Sequence, residues 1–188
     1  MMTMPEAPGS NPRPAPAVDD ERSPLTLRDG TAVAVRPMHE ADGDRLVRFH
    51  ESLSAETQYR RFFSSHAHLS AHEVDWFTHV DHVHREALVA TVDDDIVGVG
   101  RFDRLPGTSD AEVAFVVADG FQGRGLGTVL MGLVADRAGA LGVERLVADT
   151  LLHNDRMLAV FHHAGLPTAS RFVDGVVNVT LTLPPVHG

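Results

Sequence analysis

The spacing of apolar residues predicts an N-terminal hairpin followed by short helices. Apolar and β-branched residues fill two runs, 25–28 and 31–36, and the pair Asp29-Gly30 between them is a strong hairpin-turn signal. From residue 40 to residue 63 the apolar positions recur at helical spacing, which predicts two short helices. The same spacing predicts a third helix over residues 70–80.

The middle of the chain predicts strands, and the last third alternates strands with helices. From Leu126 the apolar residues recur with the period of a long amphipathic helix, which Gly142 should end. Before this helix, apolar runs joined by turn residues predict an antiparallel meander over 86–92, 96–104 and 110–118. After it, the pattern predicts a strand over 143–150, a helix over 154–163 and closing strands over 169–173 and 176–183.

Residues 1–24 differ in composition from the rest of the chain. Six of the 11 prolines lie there, together with an acidic run and few apolar side chains. Such a stretch buries too little apolar surface to offset the entropy of ordering. We therefore expect a disordered, proline-rich tail over residues 1–24 and one folded domain over residues 25–188.

Charge and cysteine content exclude several classes of function. The chain has 16 basic and 26 acidic side chains, a formal net charge of −10, and no cysteine. Without cysteine it forms no disulfide, thiolate zinc site or cysteine nucleophile. The acidic balance disfavours nucleic acid as a partner, because binding to phosphates depends on Lys and Arg. No apolar run approaches the roughly 20 residues of a membrane helix, and no signal-peptide pattern is found, so we expect a cytoplasmic protein without a membrane partner.

A glycine-rich turn joins the third meander strand to the long helix. It reads Gln122-Gly123-Arg124-Gly125-Leu126-Gly127-Thr128. Glycines let backbone N–H groups approach a ligand closely, and the turn precedes the positive end of a helix dipole. It lacks the Lys of a P-loop, and Thr128 stands where a Rossmann fingerprint requires its last glycine. The turn therefore predicts a pyrophosphate cradle, with a tight strand-to-helix turn as the alternative reading.

Two segments resemble the GNAT superfamily of N-acetyltransferases. Gln122, Gly125 and Gly127 match its acetyl-CoA signature Q/R-x-x-G-x-G/A, and residues 153–166 resemble the GNAT helix that an Asn opens beside the CoA arm. The resemblance covers residues 25–183. It implies an α/β (α+β) fold with a mixed, mostly antiparallel central sheet flanked by helices. It also implies a V-shaped splay between the family's fourth and fifth strands, here the predicted third meander strand and the strand after the long helix.

The same resemblance implies acetyl-CoA as cosubstrate and needs no metal. In the family the loop amides hold the pyrophosphate, and a backbone N–H freed by the splay stabilises the oxyanion. A Tyr that protonates the CoA thiolate is common in the family, but Phe stands at its place in this chain. The implied cofactor-binding residues are Phe115, Val116, Val117, Gln122, Gly123, Arg124, Gly125, Leu126, Gly127, Thr128, Asn154 and Phe161.

Glu112 is the candidate catalytic residue. It lies on the strand that leads into the glycine-rich turn and shares a strand face with Ala114 and Val116. This strand resembles the fourth strand of bacterial protein lysine acetyltransferases, where a Glu acts as general base, often through water. Transfer to an amine requires such a base, since the attacking nitrogen must be neutral. The alternative reading is a solvated carboxylate on an exposed strand face.

The acceptor is expected to be a primary amine. Residues 52–63 resemble a segment of bacterial GNAT domains that acetylate protein lysines, which implies a protein lysine side chain as acceptor. An acidic chain also suits any cationic acceptor, so a small-molecule amine such as a polyamine or aminoglycoside stays open. A third hypothesis is a sensor that binds acetyl-CoA and transfers nothing.

Six of the 12 histidines lie between residues 66 and 84. His68 and His72 have the i,i+4 spacing of a metal pair, but Trp76 stands where the H-E-x-x-H motif requires its second His. We expect a His-rich polar stretch and no metal.

Overall fold

The computed structural model describes residues 23–64 and 67–185. The strands are β1 (Ser23–Thr26), β2 (Ala32–Pro37), β3 (Arg85–Val92), β4 (Asp95–Arg104), β5 (Asp110–Val117), β6 (Arg145–Leu151), β7 (Thr168–Val173) and β8 (Val176–Thr182). The α-helices are α1 (Gly43–Ser52), α2 (Ala55–Phe62), α3 (Ala71–Thr78), α4 (Leu126–Ala140) and α5 (Asp155–His162). This order of elements is the one that the sequence pattern predicts.

The N-terminal hairpin begins two residues earlier than predicted. Ser23 and Pro24 pair with β2, so they belong to β1 and the boundary drawn after residue 24 is wrong. The rest of the predicted tail, residues 1–22, lies outside the described residues. The Asp29 carboxylate accepts the Thr31 N–H at 3.0 Å, which closes the turn predicted from the Asp-Gly pair.

The eight strands form one sheet in the order β1-β2-β3-β4-β5-β6-β8-β7. Neighbouring strands are antiparallel except β5 and β6, which run parallel. This mixed, mostly antiparallel sheet confirms the predicted fold class. The family's fourth and fifth strands are β5 and β6 here, because the N-terminal hairpin adds one strand.

Helices cover the two faces of the sheet. Successive residues of a strand point to opposite faces, and on β3 Leu88 and Ala90 join the hydrophobic cluster beneath α4, whereas Val89 joins the cluster beneath α1. Close packing on the α4 face explains a glycine in β4. A Cβ at Gly100 would lie 2.9 Å from the ring of Phe115. The Phe115 ring can therefore pack against β4 only because position 100 has no side chain.

Polar side chains cap three helices, and two of these, α3 and α5, begin where the sequence predicts them. Ser54 accepts the Thr57 N–H at 3.2 Å and begins α2. Ser70 and Glu73 form a capping box at α3, and Asn154 accepts a backbone N–H at 3.3 Å to begin α5. Each cap satisfies an N–H group that the helix itself leaves unpaired.

A buried ion pair fixes the entry to α1. Both terminal nitrogens of Arg36 on β2 donate to the carboxylate of Asp42, each at 2.6 Å. Asp42 is 1% exposed, and its carboxylate also accepts the His39 N–H at 2.9 Å. Burial raises the pKa of Asp42, but the hydrogen bonds from Arg36 and from the His39 backbone outweigh it, so the pKa lies below its usual value. The ionised carboxylate therefore stabilises the folded state.

Asp42→Asn should lower the free energy of unfolding by about 3 kcal/mol at pH 7, because it removes one charge of a buried pair. The matched control is Asp95→Asn, whose carboxylate is exposed and lies 3.8 Å from Arg48; it should change stability by less than about 0.5 kcal/mol. Urea denaturation measures both. The pKa of Asp42 is lowered, so the stability that its charge contributes is present above the ordinary carboxyl pKa of 3.8 and is lost as the pH falls through the lower pKa of the folded state. The free energies of unfolding of the wild type and Asp42→Asn should therefore converge in acid. A difference between them that persists below that pH would contradict the assigned role of the Asp42 charge.

Candidate active site

A cleft opens where β5 and β6 separate. The two strands pair only between residues 110–112 and 145–147. Beyond this point β5 stays paired with β4, and β6 with β8. A cleft of about 300 Å³ lies along the diverging end of β5. This divergence is the V-shaped splay that the resemblance implied.

Most of the expected cofactor-binding residues line this cleft. Its walls come from the N-terminal hairpin, α2, β5, the glycine-rich turn, α4 and α5. The expected residues in contact with the cleft are Phe115, Val116, Val117, Gln122, Gly123, Gly125, Gly127, Thr128 and Asn154.

Three of the expected residues do not line it with their side chains. Leu126 and Phe161 are 1% and 2% exposed and pack into the hydrophobic core. Arg124 turns away to an ion pair with Asp29 at 3.0 Å, and its guanidinium lies 5.1 Å from the centre of the Phe121 ring. These three side chains are thus directed away from the cleft, and cofactor binding by Arg124, Leu126 and Phe161 stays a prediction.

The backbone of β5 turns N–H groups toward the cleft beyond the end of its pairing with β6. The N–H and C=O groups of a strand alternate between its two neighbours. The Ala118 N–H donates to Val97 beside β4, whereas the Val117 carbonyl accepts from Gln122 on the cleft side. By this alternation the N–H groups of Phe115 and Val117 point toward β6, at the level where β6 has diverged. An extended ligand in the cleft can bond to them as an additional strand would.

The glycine-rich turn leaves the start of α4 open. Gly123 and Gly125 have φ values of 75° and 93°, a left-handed conformation that favours glycine. Gly125 is the N-cap of α4, and no side chain caps the helix there. The first N–H groups of α4 and its dipole are thus available to an anion in the cleft. A Cβ at Gly127 would lie 3.1 Å from Val160, so this glycine lets α4 and α5 approach.

Gln122 connects the glycine-rich turn to its surroundings. Its side-chain amide donates to the Val117 carbonyl at 3.0 Å and to the Thr57 hydroxyl at 3.1 Å. Its oxygen accepts a hydrogen bond from Arg156 of α5. The residue that the acetyl-CoA signature singles out therefore holds α2, β5 and α5 around the cleft, in addition to lining it.

Asp119 attaches the start of α2 to the same turn. Its carboxylate accepts from the Ser54 N–H at 2.9 Å and from the hydroxyls of Ser54 and Thr57, each at 2.8 Å. Partial burial raises the pKa of Asp119, but these hydrogen bonds outweigh it and hold the pKa below its usual value. Sequence analysis missed this contact, because the partners are 62 or more positions apart along the chain.

Positive charge surrounds the cleft. Arg28 from the hairpin and Arg60, Arg61 and Arg156 from the helices line it. A Cβ placed on Gly125 would lie 3.6 Å from the guanidinium Nε of Arg28, so Arg28 reaches the start of α4. The four cations and the helix N-terminus suit a ligand with several negative charges.

Sequence analysis did not select these arginines for the cofactor site. Three of the four lie in residues 52–63 and 153–166, the segments that resemble GNAT proteins. No local pattern marks Arg28. The lining residues that were missed are Arg28, Thr57, Arg60, Arg61, Arg156, Met157, Ala159, Val160 and His163.

Glu112 lies on the other face of β5, away from α4. It is exposed and stands directly opposite Asp103 of β4 in the antiparallel register. Asp103 in turn pairs with Arg85 at 3.0 Å and with Arg101 at 2.7 Å. Of the two situations that the sequence left open for Glu112, the exposed strand face is the one observed. The carboxylate lines neither the cleft nor the cavity beside it.

A smaller cavity adjoins the cleft on the Glu112 face of the sheet. It measures about 40 Å³ and lies between α1, α2, α3 and the strands β4 and β5. Apolar side chains dominate its lining, with His50, Arg61 and Arg101 as polar members. Arg61 and Val116 line both the cleft and this cavity.

The histidine-rich stretch forms separate local contacts. His82 lies 2.7 Å from the buried Glu86, and His84 lies 3.1 Å from Asp81. His66 falls outside the described residues. Within residues 23–64 and 67–185, no three His, Asp or Glu side chains come together as metal ligands. In the same residues no helix has the length and apolar character to cross a bilayer.

Comparison with known proteins defines the class to which this fold and cleft belong. Residues 46–166 match the model of the Acetyltransferase (GNAT) family. This match spans more than half of the chain, so the protein belongs to the Acetyltransferase (GNAT) family. The resemblance inferred from the glycine-rich turn is thereby confirmed.

Three relatives are particularly similar. Acetyltransferase Pat of Mycolicibacterium smegmatis is 34% identical over 169 residues, which cover 87% of this chain and 49% of Pat. Acetyltransferase PA5475 of Pseudomonas aeruginosa is 31% identical over 69% of this chain and 72% of its own. The crystal structure of the GNAT domain of S. lividans PAT superposes with a TM-score of 0.81 at 38% identity, covering 86% of this chain and 97% of that domain. The chain thus spans about half the length of the M. smegmatis relative.

Proposed function

We propose that the protein transfers an acetyl group from acetyl-CoA to the side-chain amine of a protein lysine. The observation that carries this proposal is the cleft. There β5 and β6 diverge beside an uncapped helix N-terminus, so a ligand with an anionic end and an amide-containing arm can use both. When bound, acetyl-CoA supplies the acetyl group as an activated thioester.

The residues around the cleft fit such a donor. The start of α4 with Gly125, together with Arg28 and Arg156, would hold the phosphates. The N–H groups of Phe115 and Val117 face the cleft, and one of them would bond to an amide carbonyl of the pantetheine arm. The other can donate to the thioester oxygen as it gains negative charge during transfer.

Glu112 is proposed as the general base. Its carboxylate takes a proton from the acceptor ammonium, directly or through one water. The freed nitrogen lone pair forms the new N–C bond, and the C–S bond breaks. A thiol of pKa about 8.5 can leave without a general acid, which agrees with the burial of Phe161 at the place of the family's Tyr. Neither His153 nor His162 lines the cleft.

The surroundings of Glu112 favour a protein acceptor over a small molecule. Glu112 is exposed, and the adjoining cavity of about 40 Å³ has no room for a polyamine or an aminoglycoside. The lysine of a folded protein can reach an exposed carboxylate, and the surface of that acceptor protein can then cover the reacting groups. Two relatives at 34% and 38% identity carry the name Pat, which supports the same acceptor class.

Gly125→Asp should weaken CoA binding at least several-fold, because it places a Cβ at φ 93° and a negative charge at the start of α4. Isothermal titration with CoA measures the affinity. The matched control is Gly107→Asp. Like Gly125, Gly107 has a positive φ, here 73°, and a Cβ placed on it meets no atom within 4 Å. Gly107 lies in the turn between β4 and β5, so this control should bind as the wild type does. Wild-type affinity in Gly125→Asp would place the phosphates elsewhere.

Glu112→Gln should leave CoA affinity nearly unchanged and lower turnover by about 10² to 10⁴-fold, because glutamine keeps the shape but not the basicity. The assay measures CoA release from acetyl-CoA across a panel of lysine-bearing proteins, lysine peptides, polyamines and aminoglycosides. Glu144→Gln changes another exposed carboxylate and should keep the wild-type rate. Wild-type turnover in Glu112→Gln would refute the assigned base. Turnover of small amines alone would favour the small-molecule function, and CoA binding without turnover of any acceptor would favour a sensor.

A further inference from the structure

Arg61 of α2 stands at the junction of the cleft and the smaller cavity. Among the described residues, only Arg61 and Val116 line both spaces. Arg61 follows Thr57 by one helical turn, and the Thr57 hydroxyl accepts from Gln122 of the glycine-rich turn at 3.1 Å. Arg61 therefore lies about 6 Å farther along the axis of α2 than the residue that contacts this turn. Of the four arginines around the cleft, it is the one that also reaches the cavity.

The guanidinium of Arg61 is held by aromatic packing and not by an anion. Its carbon lies 4.9 Å from the centre of the Phe62 ring. The Phe62 ring meets the buried His50 edge-on, with 5.5 Å between their centres. Within residues 23–64 and 67–185, the Arg61 nitrogens make no hydrogen bond to another side chain or backbone group and have no carboxylate oxygen within 4.0 Å. Its N–H donors are therefore open to a ligand.

The other arginine of the cavity, Arg101, already has a counter-ion. Its guanidinium donates to Asp103 at 2.7 and 2.9 Å. Burial lowers the pKa of Arg61 to about 10, and Arg101 lowers it further. Glu112 and Asp103 act in the opposite direction. Arg61 thus stays protonated near neutral pH while it is partly withdrawn from water without a direct ion pair, and a carboxylate that binds there would compensate this charge.

The cavity beside Arg61 has the size of a carboxylate group. Its volume of about 40 Å³ corresponds to about three water-sized groups of roughly 10 to 15 Å³ each, which matches the carbon and two oxygens of a carboxylate. No Asp or Glu among the described residues lines it, and most of its lining is apolar, for example Met38, Phe49 and Val116. An acyl chain that enters from the cleft therefore meets apolar walls and one cation without a partner.

We propose that the enzyme also accepts acyl-CoA donors whose short acyl group ends in a carboxylate, such as malonyl-CoA or succinyl-CoA, and that Arg61 binds this carboxylate. The inference extends the proposed function and rests on it for the transfer step. The thioester lies in the cleft as it does for acetyl-CoA, and the acyl end passes Val116 into the smaller cavity. The planar guanidinium can donate two parallel hydrogen bonds to the carboxylate.

Transfer makes and breaks the same bonds as with acetyl-CoA. The lysine ammonium gives one proton to Glu112, its nitrogen bonds to the thioester carbon, and the C–S bond breaks. The second proton that the nitrogen loses goes to solvent, and the thiolate takes a proton from solvent. The distal carboxylate is unchanged, so the modified lysine changes from a cation to an anion.

Arg61→Gln should abolish the preference for a charged acyl group. We expect wild type to bind malonyl-CoA or succinyl-CoA at least about tenfold more tightly than the uncharged donor of the same shape, isovaleryl-CoA or 4-methylpentanoyl-CoA, because hydrogen bonds between charged groups contribute that much or more. In Arg61→Gln the ratio of the two affinities should fall to about one. Arg61→Lys keeps the charge but not the planar fork and should keep part of the preference. The control Arg48→Gln removes an exposed charge on α1, paired with Asp95 at 3.8 Å, and should keep the wild-type ratio.

The experiment separates donor binding from transfer. Isothermal titration measures the affinity of wild type and the three variants for the four donors without an acceptor. Mass spectrometry then follows transfer from these donors and from acetyl-CoA to a lysine peptide. A preference for a charged donor that Arg61→Gln abolishes, together with transfer of that acyl group, supports the proposal.

Three other outcomes are decisive. Equal affinity of wild type for charged and uncharged donors, or an unchanged preference in Arg61→Gln, would overturn the proposal even where acetyl transfer proceeds. Transfer of acetyl but of neither charged acyl group would also overturn it. An Arg61-dependent preference without transfer of any acyl group, acetyl included, would refute the proposed function and retain the carboxylate site.

Discussion

The site depends on the early end of the β5–β6 ladder. β6 is held by β8 along its whole length, and β5 is held by β4 as far as Val117, so each diverging strand has one satisfied edge and one open edge. Open N–H and C=O groups in a partly apolar cleft are costly unless water or a ligand bonds them. We propose that an extended, amide-containing ligand binds this open edge of β5 through the backbone of Phe115 and Val117.

The second constraint is the connection between the glycine-rich turn and α2. Asp119 bonds to the start of α2, and Gln122 bonds to Thr57 and receives a hydrogen bond from Arg156. The turn that offers α4 to an anion thus also positions the helix that carries Arg61. One set of hydrogen bonds thus joins the turn to α2, and α2 forms a wall of both the cleft and the smaller cavity.

Local patterns predicted the elements because local physics determines them. The Asp29-Gly30 turn, the Ser54 cap and the splayed, mostly antiparallel sheet implied by the resemblance all have signals within a few residues or within one recognised motif. The position of a side chain in the folded site has no such signal. A motif gives the place of Leu126 and Phe161 along the chain but not that they point into the core. Arg28 and Asp119 act through contacts with distant segments, which the sequence alone does not register.

We propose that the cleft at the divergence of β5 and β6 receives the acetyl donor with its phosphates at the start of α4. A crystal structure of the protein with CoA tests this most directly. We expect the pyrophosphate against the backbone of Gly123 and Gly125, the pantetheine arm along Phe115 and Val117, and the thiol on the side of Arg61. Phosphates bound away from the glycine-rich turn, or an arm outside the cleft, would contradict it.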